Sequence, residues 1–154
     1  MSHYYTLPLF DNAELTEAKR VTGPGFARIV HYFHEDGVKA IVAIEHAIHV
    51  RSAIAMVLPA HTLKGEARQL GAVRLGEIAE AIEMTARDCI EKRIPPQDIA
   101  VEVSMLRGCF AETLQQLSPA PANGNPSAPP ALATSSATKL RRTARRPTIF
   151  GRRT

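Results

Sequence analysis

From Phe26 onward the apolar residues Phe26, Ile29, Val30, Phe33, Ile41, Ile44 and Ile48 step by threes and fours, the spacing that lines them along one stripe of a helix. Pro24 suits the first turn of that helix, and Gly37 in its middle is expected to weaken or kink it. A second long helix is predicted from about Arg51 to Leu70, closed by Gly71 where a left-handed cap is usual. A third covers about Val73 to Arg93, with Leu75, Ile78, Ala79, Ile82 and Cys89 on one face. The string "IPPQD" breaks the chain, and Asp98 is expected to help open a fourth helix carrying Ile99, Val103, Leu106, Phe110, Leu114 and Leu117. Ahead of these, Asp11 and Glu14 have capping-box spacing over "DNAELTEAKR", which "TGPG" ends. Strict alternation of apolar and polar residues, the mark of a strand, is absent. The pattern predicts an all-α fold: an antiparallel four-helix bundle with a short additional N-terminal helix.

Composition divides the chain. Residues 1–10 form an N-terminal extension, 11–117 carry the helical periodicity, and 118–154 turn to Pro, Ala and Ser followed by a basic segment. That last part holds too little apolar surface to offset its conformational entropy and is expected to be a disordered linker and tail. Charge follows the same boundary. Of the 19 Lys and Arg residues, Lys139, Arg141, Arg142, Arg145, Arg146, Arg152 and Arg153 lie in the tail, so residues 1–138 set 12 basic against 15 acidic residues, a net charge of −3 beneath the overall +4. The tail's arginines would neutralise phosphates regardless of sequence, but with one aromatic, Phe150, and no folded reading element, nucleic acid is not the expected partner.

Cys89 and Cys109 stand on apolar faces without ligand spacing and read as core thiols in a reducing compartment. No stretch reaches transmembrane length and "MSHYYTLPLF" lacks the charged start of a secretory signal, so a cytoplasmic protein with no membrane contact is expected. His31 with His34 and His46 with His49 make two HxxH spacings near Glu35 and Glu45. A bundle metal site draws its ligands from facing helices, and the other helices offer no matching motif, so no metal is expected.

The remaining histidine-bearing face is different in kind. At about 100° per residue, with His61 at zero, Gly65, Arg68 and Lys64 fall within roughly 60° of it, as do Ile54, Val57 and Leu58. Met56, Leu63, Ala67 and Leu70 cluster on the opposite side, which places the core there and turns His61 outward. A neutral imidazole nitrogen is a competent nucleophile, and an ammonium one turn away is a compact positive charge for a phosphoryl group. Gly65 leaves the space over the ring open. No carboxylate is placed by the sequence to orient that ring, since Glu66 points about 140° away.

Taken alone, His61 and Lys64 are what many solvated helix faces offer. The full string "AHTLKGEARQLGA", from Ala60 through Ala72, resembles the motif of the histidine phosphotransfer (HPt) domain family, A-H-x-L-K-G followed by a small residue, four further residues and G-A. The following "LGEIAEAIE" is similar to that family's next helix, with Leu75, Ala79, Ile82 and Glu83 in register, and the likeness spans about residues 11–117. The resemblance implies that His61 is the phosphoacceptor, Lys64 the charge partner of the phosphoryl group, Gly65 the clearance residue and Gly71 the helix end. Two positions depart from the pattern: Glu66 replaces the small residue and is expected to bring a negative charge near the site, and Pro59 is expected to kink the helix.

The function so implied is that of a phosphocarrier in a multistep two-component relay. His61 would accept a phosphoryl group from a receiver-domain aspartate and pass it to another receiver, with Ile54, Val57, Leu58 and Arg68 as docking residues. Expected partners are response-regulator receivers and a hybrid histidine kinase. The chain itself is expected to be a monomer without a cofactor, the Mg²⁺ being held by the receiver. It lacks the glycine-rich ATP-binding boxes of a kinase, so no turnover of its own is expected. The alternative is a non-catalytic helical adaptor whose basic tail binds a partner or nucleic acid.

Overall fold

The structure, a computed structural model, describes residues 3–118; the expected tail from residue 119 on lies outside the described residues. Five α-helices follow one another: α1 (Asn12–Thr22), α2 (Phe26–His49), α3 (Ala53–Gln69), α4 (Val73–Lys92) and α5 (Ala100–Leu117), with 3-10 turns at His3–Thr6 and Gly23–Gly25. Among the described residues there is no strand. Helices α2 to α5 form the antiparallel bundle, α2 and α4 each packing against both α3 and α5. The stripes read from the sequence meet inside it: Phe33, Ile41 and Ile44 of α2, Met56, Leu63 and Ala67 of α3, Leu75, Ile78 and Ile82 of α4, and Val103, Leu106 and Phe110 of α5 are all buried. Cys89 and Cys109 are buried free thiols, and burial pushes the Cys109 thiol up to about 11.

Gly37 does not interrupt α2. Helix α2 runs unbroken through it, and a Cβ there would stand 2.5 Å from the Phe110 ring, so the glycine lets α5 approach α2 closely. Helix α3 likewise continues through Pro59. Its start is fixed by Ser52, whose hydroxyl accepts the Ala55 N–H at 3.3 Å. Asp98 does not cap α5: the N-cap is Ile99, with no side-chain bond, and burial of Ile99 against the core anchors that end instead.

The α3–α4 turn holds the site's two helices in register. Gly71 has φ +68°, and the Ala72 N–H reaches back to the Ala67 carbonyl at 2.8 Å, the bond of a left-handed helix cap. A side chain at 71 would also collide with the α1 backbone, since its Cβ would lie 2.9 Å from the Leu15 nitrogen. That approach lets the Asp11 N–H donate to the Gly71 carbonyl at 2.8 Å. The Asp11 carboxylate caps Ala13 and Glu14 as expected, while its own N–H takes this tertiary bond in place of the return bond from Glu14. Within the N-terminal extension, Tyr4 and Phe10 are buried, and Arg74 donates to the Leu7 carbonyl at 2.7 and 3.0 Å, so this segment packs on the bundle.

Candidate functional site

Helix α3 carries His61 outward with its side chain 59% exposed, as the helical face required. The ring is nevertheless oriented. Its Nδ1 lies 3.0 Å from Oε1 of Glu83 on α4, which corrects the expectation that no carboxylate would reach it. The Glu83 side chain is only 4% exposed, yet it is well supplied with cations. Lys64 Nζ sits 2.7 Å from Oε2, and Arg87 donates to Oε1 through Nε at 3.0 Å and Nη2 at 2.8 Å.

These contacts favour the ionised form of Glu83. Burial alone would raise the Glu83 carboxyl, but donation from Lys64, Arg87 and His61 overrides it and holds the group at about 2. At neutral pH Glu83 is therefore a carboxylate and can only accept. In the neutral imidazole the proton then resides on Nδ1, donated to Glu83, and Nε2 on the far side of the ring keeps its lone pair. The result is a fixed ring with a nucleophilic nitrogen facing solvent.

The other residues singled out by the sequence fall as follows. Lys64, 16% exposed, points inward to Glu83 and lies 3.9 Å from Glu80. A Cβ on Gly65 would meet nothing within 4 Å, so the face beside His61 is open. Ile54 and Leu58 are 75% and 73% exposed. Val57 differs from them: it is partly buried and packs on the core. Arg68 is exposed and held by Glu80 at 2.5 Å and Glu77 at 3.5 Å across the helix pair. Glu66 does not charge the His61 face; it is partly buried in a groove between α3 and α2.

Among the described residues the HxxH pairs acquire no further ligands. His31 reaches only Glu35, at 3.6 Å, and among the described residues no three His, Cys, Asp or Glu side chains are grouped to hold a metal. None of the described helices is long and apolar enough to cross a membrane.

Comparison with known proteins gives the class of this antiparallel bundle. Residues 28–120 match the sequence model of the Hpt domain, more than half of the chain. The chain belongs to the Hpt domain family, and its role is histidine phosphotransfer in a phosphorelay. Among solved structures, the fold is similar to histidine-containing phosphotransfer protein B (HptB) from Pseudomonas aeruginosa PAO1, at TM-score 0.65 and 21% identity, covering 71% of this chain and 91% of that one. Among curated proteins none gives a significant match.

Glu83 is the residue that sequence reasoning left without a role. A signal for it existed: α3 and α4 are antiparallel about the turn at 70–72, so a position eleven residues after Ala72 returns to the level of one ten residues before Gly71. Glu83 is also a charge at the edge of α4's apolar face, flanked by the buried Ile82 and Ala86, where an unpaired carboxylate would be costly.

Proposed function

We propose that this protein is a phosphocarrier in which Nε2 of His61 takes a phosphoryl group from the aspartyl phosphate of a response-regulator receiver domain and returns it to the aspartate of another. The lone pair of Nε2 attacks phosphorus, the N–P bond forms, and the bond from phosphorus to the aspartate oxygen breaks, releasing the carboxylate on the donor. The imidazole becomes cationic as this happens. Glu83, already ionised and bonded to Nδ1–H, stabilises that charge without reorganising, which is how a preorganised dipole or ion lowers a barrier. Discharge to the second receiver reverses the same steps.

Lys64 acts in this scheme through Glu83. With its ammonium 2.7 Å from that carboxylate, it keeps Glu83 charged and placed, and it stands one helical turn from the ring for any phosphoryl oxygen that turns toward it. Gly65 gives the incoming receiver clearance, and Ile54 and Leu58 supply exposed apolar contact around the reactive nitrogen. The receiver brings the Mg²⁺ and the acidic pocket; this chain brings a nucleophile and its positioning carboxylate, and so carries phosphate without turnover.

The observation that supports this reading most is the anchored ring: a half-exposed histidine whose Nδ1 is fixed by a carboxylate held at about 2, leaving Nε2 free. The test is incubation with a panel of radiolabelled phospho-receivers. Acid-labile, base-stable label is expected on the chain and absent from His61→Gln; label persisting in that variant would transfer the role to another of the six histidines.

A further inference from the structure

Glu66 is the charged residue of α3 that the phosphotransfer chemistry leaves unused. It lines an open groove of about 410 Å³ between α2 and α3, together with Asp36, Ala40, Ala43, Leu58 and Pro59. The groove lies beside the reactive face, since Leu58 and Thr62 flank His61 and both border it. One carboxylate oxygen of Glu66 is buried without a hydrogen-bond partner among the described residues. Such an atom loses its hydration and gains nothing in return, a cost that a cation reaching it from a partner would relieve. Burial, and the neighbouring Asp36 charge, both raise the Glu66 carboxyl, so Glu66 is electrostatically unsatisfied as it stands.

The rest of the groove offers acceptors too. Ala55 also borders it, and Pro59, four residues on, has no N–H to return to the Ala55 carbonyl. The cation of the groove is Lys39, 74% exposed and turned to Asp36 at 3.0 Å; it leaves Glu66 unpaired. An aliphatic floor of Ala40, Ala43, Leu58 and Pro59 ending in two carboxylates matches one kind of side chain, a methylene stem with a cationic head.

We propose that this groove selects the receiver, by admitting a lysine or arginine of its docking surface along Leu58 and Pro59 to Glu66 and Asp36. The proposal rests on the phosphocarrier reading for the identity of the partner. Glu66 then works in the opposite sense to the one the sequence suggested: a carboxylate withdrawn from His61 does not repel the receiver's acidic pocket and instead attracts a cation at its margin. Receivers without a basic residue at that place leave the buried oxygen as unpaired as it is in the free chain, gain nothing from the groove and bind less tightly.

The test is binding, read without phosphate. The full chain is titrated with unphosphorylated receiver domains of the source organism to find those that bind, and the titration is repeated with Glu66→Gln, which keeps the side-chain shape, and with Glu66→Lys. Folding of each variant is checked by circular dichroism. Weakening of at least fivefold with Gln, and more with Lys, is expected for the binding receivers. A receiver whose basic residue is changed to Glu should lose binding to the natural chain and regain it with Glu66→Lys. Changes under threefold with Glu66→Gln overturn the proposal. So does a dimer of the chain alone that Glu66→Lys dissociates, because the groove would then hold a second copy. Labelling of His61 by phosphoramidate, a small donor that needs no docking, is expected to be equal in all forms. Absence of that label from the natural chain, with Glu66-dependent binding intact, would count against the phosphocarrier reading and leave the groove proposal standing.

Discussion

At the scale of single residues, one buried carboxylate organises the reactive face. Glu83 accepts from His61, Lys64 and Arg87, and each of the three can be removed separately. Glu83→Gln preserves an acceptor for Nδ1–H but exchanges a charge-assisted bond for a neutral one, a difference of roughly 1 kcal/mol. Phosphotransfer from a receiver should therefore slow about fivefold to tenfold, and Glu83→Ala, which also frees the ring, should slow it further; equal rates in all three forms would show that the carboxylate does not act on the ring. Lys64→Ala leaves a 4% exposed carboxylate short of one cation and should lower stability by about 1 to 3 kcal/mol, read as a shift in the urea midpoint. His61 was legible in the sequence because outward placement follows from the helix repeat alone. Glu83 was harder to read, because its role depends on which residue of the next helix stands level with His61, which follows only once the two helices are counted back from the turn between them.

At the scale of elements, the four bundle helices were legible from their stripes, and what escaped was the reason for particular glycines and caps. Gly37 looked like a defect in α2 and is a contact. Replacing it with Ala adds roughly 1 kcal/mol of helix propensity. The new methyl would stand 2.5 Å from the buried Phe110 ring, which is itself packed on Phe33 at a 5.3 Å centroid separation. Overpacking of this kind costs about 1 to 3 kcal/mol. The contact should win, and Gly37→Ala should lower the melting temperature; a rise would mean the ring moves freely. Gly65 is the opposite case, with nothing within 4 Å of an added Cβ. Gly65→Leu should gain about 0.5 to 1 kcal/mol from propensity while blocking receivers, so thermal stability rises as transfer falls and phosphoramidate labelling persists. Asp98 shows a limit of reading caps locally, since a buried Ile99 fixes the start of α5 without any side-chain bond.

At the scale of the whole molecule, the two unusual carboxylates tie stability to pH with opposite signs. Glu83 is held at about 2 in the folded chain against an ordinary value of 4.5. Folding therefore favours its ionised form, and the stability it contributes is present above about pH 4.5 and lost as pH falls through that value toward 2. Glu66 is raised by burial and by Asp36, so folding disfavours its charge. Its contribution is present below the ordinary value and lost as pH rises through the folded one. Removing each carboxylate should thus change the pH profile differently. Glu83→Gln should be less stable than the natural chain at pH 7, with the gap closing as pH falls below 4.5, because protonation brings the natural chain to the same uncharged state. Glu66→Gln should be at least as stable as the natural chain at pH 7, with the advantage vanishing in acid. Thermal unfolding of the three forms from pH 3 to 8 measures both effects. Parallel curves for the natural chain and Glu83→Gln would mean that the bonds from Lys64, Arg87 and His61 do not hold that carboxylate ionised, and the fixed tautomer of His61 would lose its cause.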